Sequence, residues 1–181
     1  MSYRFVYRQR LISSGTGALL IAGVALAAPA SAAGSASALA LNPQLATATQ
    51  TPLVVNARWG GHCKYDRLVI DVKGYLPQIT VNRVSELRYD GSGQKVPLAG
   101  KYFLEIRVTP AAAHNDAGQS VYKGPKLLKV WLPKLKGLAL TGDFEGYVTF
   151  GAAFDTKPTY TTFKLHNPER FVLDVKHANV C

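Results

Sequence analysis

The sequence predicts an all-β fold, an antiparallel β-sandwich of about eight strands following a cleaved signal peptide. Three observations carry this. Short runs of alternating apolar and polar residues recur between clusters of turn residues, and no segment holds a convincing helical period. One strand is written twice: residues 65–72 read YDRLVIDV and residues 169–175 read ERFVLDV, so Arg67, Val69 and Asp71 have counterparts in Arg170, Val172 and Asp174. Two cysteines, Cys63 and Cys181, flank the two copies.

The amino terminus reads as an address. Arg4, Arg8 and Arg10 form a basic region, Ala18 to Ala28 an apolar one, and Ala30, Ser31 and Ala32 supply small residues for cleavage. A membrane span needs about 20 apolar residues, and the apolar core here is about a dozen. Residues 1–32 are therefore expected to be an export signal, and the mature chain to lack a transmembrane segment. Gln9 separates Arg8 from Arg10, which favours the general secretory route, and no cysteine follows the apolar stretch closely enough for a lipid anchor. Residues 33–50 are rich in Ala, Ser, Thr and Leu and read as a flexible linker. Residues 51–181 are left as one domain, long enough to bury a core.

The predicted strands run Leu53 to Trp59, Tyr65 to Lys73, Gln78 to Val84, Lys101 to Thr109, Lys136 to Thr141, Gly146 to Phe154, Tyr160 to Leu165 and Arg170 to Lys176. In the two copies of the repeated strand, alternation sends Leu68, Ile70 and Val72, like Phe171, Leu173 and Val175, toward a core. The Arg, Val and Asp residues between them face outward. Val148, Phe150, Ala152 and Phe154 likewise share a face. Gly60 with Gly61, Asp90 to Gly93, and Asn167 with Pro168 supply turns. Ser85 to Tyr89 and Lys126 to Leu132 are the two places where a single helical turn is expected.

An even cysteine count in an exported domain predicts a Cys63–Cys181 disulfide rather than a metal site or a nucleophile. A disulfide permits only about 6 Å between Cα atoms, so the two framing strands must run antiparallel to bring their cysteine ends together. If they also pair directly, Arg67 faces Asp174 and Asp71 faces Arg170 as two reciprocal ion pairs.

Without the three arginines of the signal, 18 basic side chains face 11 acidic ones, leaving a charge of about +7. Such a surface attracts polyanions, and for an exported protein these are wall polymers and anionic head groups; nucleic acid is poorly placed as a partner.

The runs HCKYDRLVIDV, YDGSGQKVPLAG, VTPAAAH, TGDFEGYVTFG and NPERFVLDV follow one another across residues 53–177. Together they resemble the AMIN-like domain of exported actinobacterial proteins, a family related to the AMIN modules that accompany cell-wall amidases and secretins. The resemblance implies a β-sandwich that recognises the cell wall, or targets a partner to it, without catalysis of its own. Family members often carry a lipoprotein cysteine, and this sequence lacks one.

The candidate site residues follow from charge and geometry. Arg67 and Arg170 would attract carboxylate or phosphate on an outer face, with Asp71 and Asp174 orienting them and accepting sugar hydroxyls. Lys126, Lys129 and Trp131 lie in a lysine-rich stretch from Lys123 to Lys136 that could hold an anionic polymer and stack on it. The same lysines could serve only as a solvated edge. In TGDFEG, Asp143 and Glu145 have the same facing and could form an acid and base pair on wall glycan. The structural alternative is a turn in which Asp143 bonds backbone amides and Phe144 plugs the core. Trp59 and Tyr65 are expected to pack in the core. His62, His114, His166 and His177 fit no compact metal signature, and no metal or cofactor is expected. The sequence thus points to a secreted, non-enzymatic, wall-associated module that binds peptidoglycan or another anionic polymer, or a wall-associated protein. A glycan hydrolase using Asp143 and Glu145, and a pure protein-interaction module, are the alternatives.

Overall fold

The computed structural model describes residues 50–181. The export signal expected over 1–32 and, Gln50 aside, the linker expected over 33–50 lie outside the described residues. Nine strands follow in order: β1 (Leu53–Gly61), β2 (Tyr65–Lys73), β3 (Gln78–Val84), β4 (Tyr102–Thr109), β5 (Leu127–Lys129), β6 (Leu135–Phe144), β7 (Tyr147–Phe154), β8 (Tyr160–Leu165) and β9 (Arg170–Lys176). They form two sheets, β1-β2-β9-β8 and β3-β4-β7-β6-β5, with every neighbouring pair antiparallel. The predicted sandwich is thus observed. Among the described residues no helix is long and apolar enough to cross a membrane.

The core lies between the sheets. From the first come Leu68, Ile70, Val72, Phe171, Leu173 and Val175, all buried, as alternation requires. Leu104, Ile106, Val108, Val148, Phe150, Ala152 and Phe154 meet them from the second. Tyr122 also enters this core and donates to the Pro125 carbonyl at 3.3 Å. Burial pushes its phenol up to about 12, so it stays neutral at physiological pH.

The second sheet is covered on its other face too. The segment after β3 packs Leu87, Val96 and Leu98 onto Phe103, Ala139 and Ala153, forming a smaller apolar cluster. Residues 85–89 therefore form no helical turn. They bend away from β3, and the Arg88 backbone bridges to Lys95. The helical turn expected at Lys126 to Leu132 is also replaced by a strand. β6 would otherwise present unpaired backbone groups, and β5 satisfies them, with Leu127 opposite Ala139 and Leu128 opposite Leu138. One hydrogen-bonded turn fixes too few contacts to compete with that ladder.

The repeated strands are direct neighbours. β2 pairs with β9 in the register Arg67↔Asp174, Leu68↔Leu173, Val69↔Val172 and Asp71↔Arg170. Cys63 and Cys181 are joined with their Cα atoms 5.1 Å apart, across 118 residues of sequence. The His177 N–H donates to the Lys64 carbonyl and the Val180 N–H to the Cys63 carbonyl, so the terminal segment is held by backbone as well as by sulfur.

Candidate functional site

The outer face of the first sheet carries one of the two expected ion pairs. Arg67 forks Asp174, with Nε on Oδ1 and Nη2 on Oδ2, both at 2.7 Å. Its guanidinium carbon also lies 4.9 Å from the Tyr65 ring centre and 5.3 Å from that of Phe163. The fork and the two rings leave this guanidinium little to offer a ligand, and the hydrogen bond to Asp174 raises its pKa further. The second pair does not form, although the backbone register holds. Arg58 of β1 forks Asp71 instead, at 2.6 and 2.8 Å, and Arg170 turns its Nε to the Pro168 carbonyl. β2 is flanked by β1 as well as β9, so Asp71 has two arginines within reach and pairs with Arg58 alone.

Every arginine of the described residues has an acceptor within the chain. Besides these three, Arg88 holds Glu86, Arg107 holds Glu105, and Arg83 donates to the Pro158 carbonyl. Lysines, together with the terminal nitrogens of Arg170, supply the positive charge that remains open. Lys123, Lys126 and Lys129 are exposed along the segment that includes β5, and beyond them the turn into β6 presents Trp131 with 92% of its surface in solvent. The turn is braced from behind, because Lys136 Nζ donates to the Leu132 carbonyl and Lys134 Nζ to the Thr156 hydroxyl. An indole on a braced turn two residues from exposed Lys129 can offer a stacking face next to a point charge, with Lys126 and Lys123 farther along the same segment. Trp59, expected inside, is 38% exposed, and Tyr65 stacks on His62 and under Arg67 rather than in the core.

Asp143 and Glu145 are brought close in sequence but given different work. β6 runs through Asp143 to Phe144, and the turn into β7 is the pair Glu145–Gly146, both with positive φ, 48° and 79°. This is the two-residue turn that matches strand twist, with Glu where Asn or Asp is usual. Asp143 accepts the Ala113 N–H and the His114 Nδ1, both at 2.8 Å. A carboxylate only accepts, so Nδ1 carries a proton, and Nε2 remains as the open ring nitrogen. Phe144 does not plug the core; it stands on the outside with 69% of its surface exposed, because β6 continues past the predicted turn and sends its side chain outward.

Asp66, not singled out by the sequence, and His177, weighed there only as a metal ligand, form a buried polar site at the stapled end. Asp66 is only 1% exposed; its Oδ2 accepts the Lys134 and Leu135 N–H groups at 2.6 and 2.8 Å. Its Oδ1 faces His177 Nε2 at 3.3 Å, while His177 Nδ1 donates to the Ala178 carbonyl. The available signal was alternation itself: Asp66 falls in the inward row of Leu68, Ile70 and Val72, where a carboxylate needs partners. Among the described residues no three His, Cys, Asp or Glu side chains converge as metal ligands would.

Comparison with curated proteins and with solved structures returns no match. The model of the AMIN-like domain matches residues 52–177, the span that contains both sheets, the disulfide's first cysteine, the repeated strands and the lysine corner, and the chain belongs to that family.

Proposed function

We propose that this protein is an exported, non-catalytic module of the cell envelope that docks on an anionic wall polymer through Lys126, Lys129 and Trp131. The single observation that carries the proposal is Trp131, a large apolar side chain held almost wholly in solvent at the end of a segment whose Lys123, Lys126 and Lys129 are exposed. An exposed indole with no burial to stabilise it is a feature of contact surfaces. AMIN-like membership supports a wall-associated role, and the disulfide is compatible with an extracellular location. The chemistry favours point charges over forks. With the arginines other than Arg170 internally engaged, attraction falls mainly to ammonium groups, which steer an anionic polymer over about a Debye length, near 8 Å at physiological salt. Arg170 retains open guanidinium nitrogens and is a secondary contact. Asp143, held by Ala113 and His114, has the role of a positioning group rather than of a hydrolytic acid.

Retention on purified wall sacculi tests this. The protein should be retained at low salt and released as salt rises, without releasing soluble wall fragments. Trp131→Ala and the pair Lys126→Gln with Lys129→Gln should each lower retention several-fold in folded protein. Undiminished retention by both variants, or fragment release that Glu145→Gln abolishes, would refute the assignment.

A further inference from the structure

Two cavities open at the end of the sandwich where the β6–β7 turn meets the strap of residues 110–126. The strap is pinned on both sides: the Val54 N–H donates to the Ala112 carbonyl, and the Ala111 N–H to the Gly146 carbonyl. The larger cavity, about 780 Å³, is lined by Asp116 and Glu145 and by no lysine or arginine. On a domain carrying about +7, a hollow with two carboxylates and no cation is a local reversal of sign. The smaller cavity, about 550 Å³, is lined by Lys126 together with Asp143, which is already engaged. His114 lines both and stands between them. Among the described residues, the side chains of Asp116, Glu145 and Lys126 make no ion pair with one another or with any other group.

The geometry points to a groove for a short zwitterionic peptide, its amino group at Glu145 and Asp116 and its carboxylate at Lys126. The spacing sets the length. The Leu140 N–H donates to the Lys126 carbonyl, which places Lys126 beside Leu140, and Glu145 lies five residues further along β6 and its turn. At roughly 3.3 Å per residue this is about 16 Å, the span of four or five extended residues. Between the ends, His114 holds its Nδ1 on Asp143 and leaves Nε2 as a polar atom for the peptide backbone. Glu145 occupies a left-handed conformation that Asn or Gly would adopt at lower cost, and the substitution that relieves the turn would remove the charge.

The test uses the full-length protein and tetra-alanine with both termini free, titrated at low ionic strength and followed by amide chemical shifts. The free peptide should bind, and acetylating its amine or amidating its carboxylate should each weaken binding about tenfold. In the double variant Glu145→Gln, Asp116→Asn the free and acetylated peptides should bind alike. In Lys126→Gln the free and amidated peptides should bind alike. Absence of binding, or variants that weaken all peptides equally, would overturn the assignment. Glu145→Gln should leave retention on wall sacculi unchanged, so failure here and failure of polymer docking are separately visible.

Discussion

The two copies of the repeated strand share a sequence and a ladder yet treat their charges in opposite ways. In β2, Arg67 reaches across to Asp174 and is held between two aromatic rings. In β9, the corresponding Arg170 makes no ion pair among the described residues, because its expected partner Asp71 is forked by Arg58. The acids that precede the two arginines differ in the same sense. Asp66 is buried and faces His177, whereas Glu169 bonds an exposed His166 at 2.7 Å. A sequence repeat therefore fixes backbone register, and the neighbouring strands decide what each repeated side chain does. The end nearest the disulfide is the braced one, and the end at Asp71 and Arg170 is the looser one.

The largest way to break this asymmetry is at the sulfur. Replacing Cys63 and Cys181 with Ser should lower unfolding free energy by about 4 kcal/mol, since 118 residues are enclosed. Denaturant unfolding would measure the loss, and hydrogen exchange should rise first at Tyr65 to Arg67 rather than at Asp71. Next comes Asp66→Ala, expected to cost about 3 kcal/mol because the buried Lys134 and Leu135 N–H groups lose their acceptor. Glu169→Ala, its half-buried counterpart paired with an exposed His166, should change stability by no more than about 0.5 kcal/mol.

Asp174→Ala should cost about 2 kcal/mol, and Asp71→Ala below about 1 kcal/mol, as the Arg67 fork is more sheltered than the Arg58 fork. Equal losses at the two aspartates would contradict the account. The smallest effect is the sharpest. A double-mutant cycle between Asp71 and Arg170 should give a coupling near zero in the wild type. In an Arg58→Ala background, with Asp71 released, the same cycle should show roughly 0.5 kcal/mol.

Much of this fold was readable from particular residues. The Cys63 and Cys181 positions, with the repeated strand between them, led to an antiparallel neighbour and the observed register. The Asp71–Arg170 pair was not readable, because it depends on where β1 lies, and Arg58 carries no mark of its target. β5 was missed because three residues give too little period to distinguish strand from turn, and only the edge of β6 determines it. The cover over the second sheet, from Leu87, Val96 and Leu98, was hidden in a stretch whose Gly and Pro residues read as loop. At the candidate site, Lys126, Lys129 and Trp131 were legible by composition, while their openness depended on the edge position of β5 and the turn into β6. The joining of Asp143 to His114 could not be read from residues 29 apart in sequence.

The central claim is that anionic polymer is met by the lysine corner and not by the paired face of β2 and β9. The direct measurement is retention on wall sacculi across a salt series for two folded variants. One removes Trp131 and Lys129; the other replaces Arg67 and Asp174 together with Leu, which deletes the fork at no net change of charge. The account predicts that the first loses retention and the second keeps it. Retention kept by the first variant and lost by the second would contradict the account.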